Sequence, residues 1–205
     1  MDYRLEQVLN GPAGHHAGWD ALMRDVATWS VPLFIGIVAA WFLVGWIRGL
    51  PRERQGALTA LIAAGGALLV NQVVSHLWER ARPADAHPGH VHLLLSPTGD
   101  PSFPSDHAAA AFAIATLLML AHRRLGIAAL ALAALVGIAR IYAGAHYPGD
   151  ILGGALVGAG VAFVLVYPLA PLMERVSRAV DWVITRLQLP LPDRSRVPAA
   201  ETTGP

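Results

Sequence analysis

The chain has 205 residues, of which 55% are hydrophobic and 14% are charged, a balance too apolar for an ordinary soluble domain of this size. Fifteen basic residues, all of them arginine, stand against fourteen acids and leave a formal net charge of +1, which gives no basis for a nucleic-acid partner. Cysteine is absent, and this excludes disulfides, thiol nucleophiles and thiolate metal ligands. We therefore expect an integral membrane protein that binds no nucleic acid.

Before residue 30, apolar and charged residues recur at helical spacing, which predicts an N-terminal interfacial helix, with a solvated amphipathic helix packed on the bundle as the alternative. Its apolar positions are Trp19, Leu22, Met23, Val26 and Trp29. Apolar runs follow, each close to the roughly 20 residues that a helix needs to cross about 30 Å of hydrocarbon. They cover residues 31–47, 57–77, 105–121, 125–145 and 151–170. The sequence thus predicts an all-α fold, a polytopic membrane helix bundle with about five transmembrane helices.

The arginines predict the orientation of this bundle. With five crossings, ten of the fifteen arginines share one side of the membrane. By the positive-inside rule that side is cytoplasmic, and the N-terminus then faces the other side. The group of ten contains Arg48, Arg52, Arg54, Arg123, Arg124, Arg175, Arg178, Arg186, Arg194 and Arg196.

The sequence predicts one domain and a tail. Residues 172–187 are again amphipathic, and from Pro190 the chain is rich in proline, serine and threonine, a composition typical of disorder. We expect one membrane-embedded domain over residues 1–188 and a disordered cytoplasmic tail over residues 189–205.

Three polar clusters interrupt the apolar runs on the outward side, at residues 82–83, 104–107 and 140–150. Ionisable side chains at membrane depth are costly, which makes them candidates for function. Because successive crossings alternate in direction, the ends of the second and fourth runs and the starts of the third and fifth share one side. We therefore predict that these clusters form one active site, with the residues Arg82, Ser105, His107, Arg140, His146 and Asp150.

These residue types favour a phosphate substrate. The planar guanidinium groups of Arg82 and Arg140 match phosphate oxygens and keep their charge when buried, and the free backbone N–H groups at the start of a helix add an anion-binding surface. A neutral histidine such as His146 can attack phosphorus if a carboxylate, with Asp150 the nearest candidate, keeps its other ring nitrogen protonated. His107 can protonate the departing oxygen. The residues alone do not decide which histidine attacks.

Each residue also has a structural interpretation. Asp150, Ser105 and Asp106 are typical helix caps, and an arginine at a helix end, such as Arg140, often extends to the lipid headgroups. The prolines of the clusters are compatible with helix boundaries alone. Several such coincidences at one membrane face are less common than a single site, so we favour the site.

With these spacings the chain resembles the type-2 phosphatidic acid phosphatase superfamily, whose three-part signature matches the three clusters over about residues 71–154. The resemblance implies a metal-independent phosphatase without a cofactor. It implies that His146 is the nucleophile, that Asp150 orients it and that His107 is the acid for the leaving group. In the same signature, the phosphoryl oxygens would be held by Arg82, Arg140 and Ser105.

Two positions depart from the family pattern. The usual first motif has a lysine seven residues before its arginine, and that position is Ser75 in a chain without lysine. Our hypothesis is that Arg80 supplies the missing charge as a phosphate ligand, or that His76 contacts the substrate directly. Asp106 stands where the family most often has glycine, and because an acid beside a phosphate is electrostatically unfavourable, we expect it to cap the helix or cover the substrate.

The loop histidines His87, His90 and His92 have a spacing that a transition-metal site would use. Asp85 is the one acid near them, and loop histidines more often meet water, a headgroup or a pyrophosphate. We therefore expect no metal site.

Gly154 and Gly158 form a small-xxx-small pair in the last apolar run. Such pairs let helices approach closely. We expect packing inside the bundle, with a homodimer as the alternative.

The compact build, without an extramembrane domain, is similar to bacterial undecaprenyl pyrophosphate phosphatases. This similarity implies an inner (cell) membrane hydrolase, with its site facing the periplasm or exterior, that converts undecaprenyl pyrophosphate to the monophosphate through a phosphohistidine for cell wall biogenesis. The expected partners are a lipid pyrophosphate or lipid phosphate substrate and the membrane lipids. The alternatives are a phosphatidate or phosphatidylglycerol phosphate phosphatase and, in a different class, a non-catalytic lipid-phosphate binding or transport protein, which the missing lysine would favour.

Overall fold

The computed structural model describes residues 1–186, and all regular secondary structure within that range is helical. The predicted tail over residues 189–205 lies outside the described residues. The helices are α1 (Asp2–Asn10), α2 (Ala17–Ile47), α3 (Pro51–Leu77), α4 (Pro83–Ala86), α5 (Asp106–Ala121), α6 (Arg123–Tyr142), α7 (Pro148–Val166) and α8 (Ala170–Arg186).

Four of these helices, α2, α3, α6 and α7, are long and apolar enough to cross a membrane. The fifth apolar helix, α5, has 16 residues and, at 1.5 Å per residue, spans about 24 Å. The prediction of an all-α membrane bundle with about five apolar helices is confirmed, and the chain is an integral membrane protein.

The N-terminal region differs from the prediction. The segment from Trp19 to Trp29, predicted as a separate interfacial helix, forms the first turns of the 31-residue helix α2. Its buried positions recur every three or four residues from Met23 to Gly45, and the helix continues through Pro32. The separate N-terminal helix is α1, which comes earlier in the chain and contacts α6 and α7.

Helix α5 lies at the centre of the bundle and packs against α3, α6 and α7. It is rich in alanine and buried on most of its surface, as expected for a helix without a polar face. A Cβ atom on Gly158 would lie 2.2 Å from the carbonyl oxygen of Ala109, and one on Gly154 would lie 2.4 Å from that of Ser105. The glycine pair therefore lets α7 meet the backbone of α5, and this places the first turns of the two helices side by side. The alternative of a homodimer stays a prediction.

Candidate active site

The predicted polar clusters meet at one end of the bundle, around a cavity of about 360 Å³. The loop after α3, the first turn of α5, the last turn of α6 and the loop between α6 and α7 each supply side chains to it. Two arginines and two histidines of the predicted site line it, namely Arg82, Arg140, His107 and His146. The two departures from the family pattern, Ser75 and Asp106, also line it, as does His76, which was proposed to replace the missing lysine.

His146 lies in the short loop between α6 and α7, and its side chain is only 2% exposed. Its Nδ1 is 2.9 Å from the carbonyl oxygen of Ser102, which can only accept a hydrogen bond. The proton is therefore on Nδ1, and Nε2 carries the lone pair. Nε2 lies 3.3 Å from Nη1 of Arg82 and 3.2 Å from Nη2 of Arg140. The unprotonated nitrogen thus points to where two guanidinium groups converge.

The surroundings of His146 keep its imidazole neutral. Burial lowers the pKa of His146 below its ordinary value, and the positive charges of Arg140 and Arg82 act in the same direction. The Asp150 carboxylate opposes them without reversing the shift. A neutral ring is the form whose Nε2 can attack an electrophile.

Asp150 is fully buried at the third position of α7. Its Oδ2 accepts hydrogen bonds from the Ser102 hydroxyl at 2.5 Å and from the Tyr147 N–H at 2.8 Å. The distance from Oδ2 to Nδ1 of His146 is 3.6 Å, longer than a hydrogen bond. Asp150 therefore caps α7, as the structural interpretation predicts, and reaches His146 by its charge and through Ser102.

Ser102 is a site residue that the sequence analysis missed. It is fully buried, its hydroxyl contacts Asp150 and its carbonyl contacts His146. The contact to the histidine is made by a backbone atom, which any residue type supplies, so no sequence pattern marks it.

Arg80 does not lie at the phosphate cavity, contrary to the hypothesis from the sequence. Its Nη1 donates to Oδ1 of Asp150 at 2.8 Å and its Nη2 to Oδ2 of Asp2 at 2.7 Å. Its guanidinium carbon also lies 3.9 Å from the centre of the Tyr147 ring. Because two carboxylates occupy its donors, Arg80 contacts the residues behind His146 and not the space in front of it.

Ser105 forms the N-cap of α5. Its side chain is fully buried, and the hydroxyl accepts from the N–H of Ala108 at 3.5 Å. Its own N–H donates to the carbonyl of Asp150 at 3.0 Å. The structure thus gives Ser105 the capping contact and places it beside the cavity, not among the residues that line it.

Arg82 is held from two sides. Its Nη1 donates to the carbonyl of Ala145 at 2.9 Å, and its Nε and Nη2 donate to the carbonyl and carboxylate of Asp100 at 3.1 and 2.8 Å. Partial burial raises the pKa of Asp100, but the Thr98 hydroxyl and Arg82 outweigh it and the pKa is lowered. An ionised Asp100, which the sequence analysis did not identify, therefore orients Arg82.

Arg140 differs from Arg82 because its buried Nε has no hydrogen-bond partner among the described residues. A buried donor without a partner is costly, and an anion in the cavity would satisfy it.

His107 connects two environments. It lines the polar cavity, and it also lines an apolar cavity of about 340 Å³ between α2, α3 and α5, together with Phe34, Leu61, Leu68, Ala111 and Ile114. His107 therefore lies at the border between the polar cavity and space suited to hydrocarbon.

The residues that depart from the family pattern have defined positions. The Nδ1 atom of His76 donates to the carbonyl of Gln72 at 2.6 Å, and the Ser75 hydroxyl donates to the same carbonyl at 3.1 Å. The Asp106 carboxylate accepts from the Asn71 amide at 2.8 Å. Of the two substitutes for the missing lysine, His76 lines the cavity and Arg80 does not.

The side chains of the three loop histidines contact different partners. His87 stacks on Tyr3, with 3.5 Å between ring centres, and His92 meets His15 edge-on. Nδ1 of His90 is 3.1 Å from the carbonyl of Pro88. In residues 1–186, no three histidine or acidic side chains come together in a way that would hold a metal ion.

Apolar helices surround a polar cavity with a buried histidine and two guanidinium groups, an arrangement that suits a membrane-embedded phosphatase. The model of the PAP2 superfamily matches residues 56–172, more than half of the chain, and the chain therefore belongs to this superfamily. The match contains the three predicted clusters, so the resemblance stated from the sequence is confirmed.

Named relatives support the assignment as a hydrolase. The chain is 28% identical to undecaprenyl-diphosphatase BcrC of Bacillus subtilis (strain 168) over 91% of this chain and 95% of that protein. It is 33% identical to the putative undecaprenyl-diphosphatase YbjG of Escherichia coli (strain K12) over 65% of this chain and 71% of that one. The crystal structure of Aquifex aeolicus LpxE shares the fold, with a TM-score of 0.67, 24% identity and coverage of 80% of this chain and 94% of that chain.

Proposed function

We propose that the protein hydrolyses undecaprenyl diphosphate to undecaprenyl phosphate and inorganic phosphate, without a metal ion. The observation that carries the proposal is the position of Nε2 of His146, which faces Arg82 and Arg140 in a polar cavity. His107 lines this cavity and also an apolar one. The polar cavity, of about 360 Å³, offers two guanidinium groups to a diphosphate, and the apolar cavity, of about 340 Å³, suits the first part of a hydrocarbon chain. The names of the BcrC and YbjG relatives agree with this substrate.

The first step is a transfer of the terminal phosphoryl group to His146. The lone pair of Nε2 attacks the terminal phosphorus, an N–P bond forms, and the bond from phosphorus to the bridging oxygen breaks. His107 donates a proton to that oxygen, and the lipid monophosphate leaves. Arg82 and Arg140 hold the phosphoryl oxygens, whose charge increases in the transition state. Ser105, at the start of α5, is proposed as a further phosphate contact if its hydroxyl turns from the Ala108 N–H.

The second step releases phosphate from the enzyme. Water attacks the phosphorus of the phosphohistidine, and His107 takes a proton from that water. The N–P bond breaks and its electron pair returns to Nε2 of His146. Through both steps Nδ1 of His146 keeps its proton and donates it in a hydrogen bond to the Ser102 carbonyl. The Asp150 carboxylate stabilises the positive charge that the imidazole carries while it is phosphorylated.

A substrate panel tests the reaction and the lipid together. The purified protein, in detergent and with excess chelator, should release phosphate from undecaprenyl diphosphate faster than from phosphatidate or phosphatidylglycerol phosphate, and vanadate should inhibit it. His146→Ala should be inactive, while His90→Ala, an exposed loop histidine, is the matched control and should keep full activity. Faster turnover of a glycerophospholipid would overturn the substrate. Lipid binding without turnover in the wild-type protein would favour the non-catalytic alternative.

The orientation is also a proposal: the site faces the periplasm or exterior of a bacterial inner membrane. Arg48, Arg52, Arg54, Arg123 and Arg124 flank the ends of helices at the opposite end of the bundle, and such residues favour the cytoplasmic side. Because the chain lacks cysteine, single-cysteine variants report on sidedness. An impermeant maleimide should label His90→Cys but not Arg124→Cys in intact spheroplasts, and the reverse pattern would contradict the orientation.

A further inference from the structure

The N-terminal helix α1 is attached to both ends of the loop that carries His146. At its C-terminal end, the Asn10 amide donates to the carbonyls of Tyr142 and His92 at 2.8 and 2.9 Å, and its Oδ1 accepts from the His92 N–H at 2.8 Å. At its N-terminal end, Oδ1 of Asp2 accepts from the Gly149 N–H at 2.9 Å. Because α6 ends at Tyr142 and α7 begins at Pro148, α1 bridges the two helix ends between which His146 lies.

The other carboxylate oxygen of Asp2 leads to Asp150. Oδ2 of Asp2 lies 2.7 Å from Nη2 of Arg80, and Nη1 of the same guanidinium lies 2.8 Å from Oδ1 of the fully buried Asp150. Arg80 is thus fixed between two carboxylates and against the Tyr147 ring. A guanidinium held at both ends has a defined orientation, so it also fixes the orientation of the Asp150 carboxylate.

Arg80 reaches His146 by its backbone as well. Its carbonyl accepts from the N–H of Ser102 at 2.7 Å, and the carbonyl of Ser102 accepts from Nδ1 of His146. The side chain of Arg80 therefore contacts Asp150 and its main chain contacts Ser102, the two residues that hold the imidazole in place.

Gly149 makes room for this contact. A Cβ at residue 149 would lie 2.7 Å from Oδ2 of Asp2, a distance at which the carboxylate would have to move. Since the carboxylate is the end of a flexible side chain, its displacement is the easiest way to relieve the clash.

We propose that Asp2 and Arg80 are positioning residues, through which α1 holds Asp150, and by it Ser102 and His146, in the geometry for attack on phosphorus. The proposal rests on the proposed function, in which His146 is the nucleophile. Neither residue touches the substrate, since both lie behind the imidazole.

Steady-state kinetics of point variants, purified with a C-terminal tag, test the proposal. A misplacement of about 1 Å in an active site costs about 100-fold in rate. Because Asp2 acts on His146 only through other residues, we expect a smaller displacement. Asp2→Ala should therefore lower kcat on the order of 10-fold and leave KM unchanged. Gly149→Ala should give the same loss, because it displaces the same carboxylate. Arg4→Gln, on the exposed side of α1, is the matched control and should behave as wild type.

Two readouts separate positioning from a general loss of structure. In the Arg80→Ala background, Asp2→Ala should cause a smaller further fall in kcat than it causes in the wild type, because the part of its effect that passes through Arg80 is already lost. The acidic limb of the profile of kcat against pH should report protonation of His146. Arg80→Gln removes a positive charge near His146 and should move this limb to higher pH, whereas Asp2→Asn removes a negative charge and should move it to lower pH. Loss of folded protein would shift neither limb.

The outcomes distinguish this proposal from the proposed function. If His146→Ala keeps its turnover, the proposed function fails. If His146→Ala is inactive while Asp2→Ala and Gly149→Ala have the wild-type kcat, the positioning role of α1 is overturned and the proposed function stands. Additive losses in the double variant would also overturn it.

Discussion

Replacement of Asp150 by asparagine isolates the charge of the carboxylate from its hydrogen bonds. The Ser102 hydroxyl and the Tyr147 N–H both donate to Oδ2, so the amide oxygen of asparagine can accept both and keep the cap of α7. The amide nitrogen would then face Nη1 of Arg80, which is also a donor. The substitution therefore removes one charge and one ion pair, with little change in shape.

The size of the effect follows from the distance between charge and imidazole. Oδ2 of Asp150 lies 3.6 Å from Nδ1 of His146, and at an effective dielectric constant of about 20 two unit charges at that distance interact by about 5 kcal/mol. That energy would correspond to a rate factor of somewhat more than about 1,000. Because the charge of Arg80 offsets part of it, we expect Asp150→Asn to lower kcat by about 100-fold to 1,000-fold.

The assay is phosphate release from a lipid diphosphate under saturating substrate, with thermal unfolding of each variant measured in parallel. Asp25→Asn, at an exposed acid of α2, is the matched control for the loss of one negative charge and should keep full activity. If Asp150→Asn is folded and keeps more than about a tenth of the wild-type kcat, the carboxylate acts as a helix cap and not on His146.

Three further predictions follow from other parts of the structure. Burial without a partner raises the pKa of Glu6 to about 7 from 4.5, so the native protein keeps a proton that the unfolded chain loses. The free energy of unfolding should therefore fall by at most about 3 kcal/mol as pH rises from 4.5 to 7. In Glu6→Gln this fall should be absent, and a pH dependence of thermal unfolding equal to that of the wild type would contradict the prediction. His107→Ala should slow hydrolysis of lipid monophosphates, which have poor leaving groups, by about 100-fold or more and slow lipid diphosphates less; equal losses for the two substrates would argue against His107 as the acid. Ala111→Phe should fill the apolar cavity beside His107 and raise KM for the long-chain lipid but not for a short prenyl diphosphate, and an equal change for both would show that the chain binds elsewhere.

The parts of the site that follow from residue type were predictable from the sequence. Arg82, Arg140, His107 and His146 stand at helix ends within apolar sequence, and since crossings alternate in direction, these ends had to share one side of the membrane. The structure brings these four residues to one cavity. Their chemical roles stay predictions until they are measured.

Other parts of the site depend on contacts that cannot be inferred from the types of the residues in a single sequence. Arg80 was predicted to bind phosphate because it lies two residues from Arg82, but it belongs to an irregular segment in which nearness along the chain does not fix the direction of a side chain. Ser102 acts through its carbonyl, which has no sequence signature. Helix α1 is held by Asp2 and Asn10 through partners 147 and 132 positions away in the sequence.

The central claim is that Nε2 of His146 takes the phosphoryl group from the lipid. Rapid quench at alkaline pH, after mixing with undecaprenyl diphosphate labelled in its terminal phosphate, should trap an acid-labile phosphoryl group that peptide mass spectrometry locates on His146. The label should appear within a single turnover, in a stoichiometry no greater than one per chain, and should be absent from His146→Ala. A label on His107 or on another residue, or phosphate release at the wild-type rate from His146→Ala, would contradict the claim.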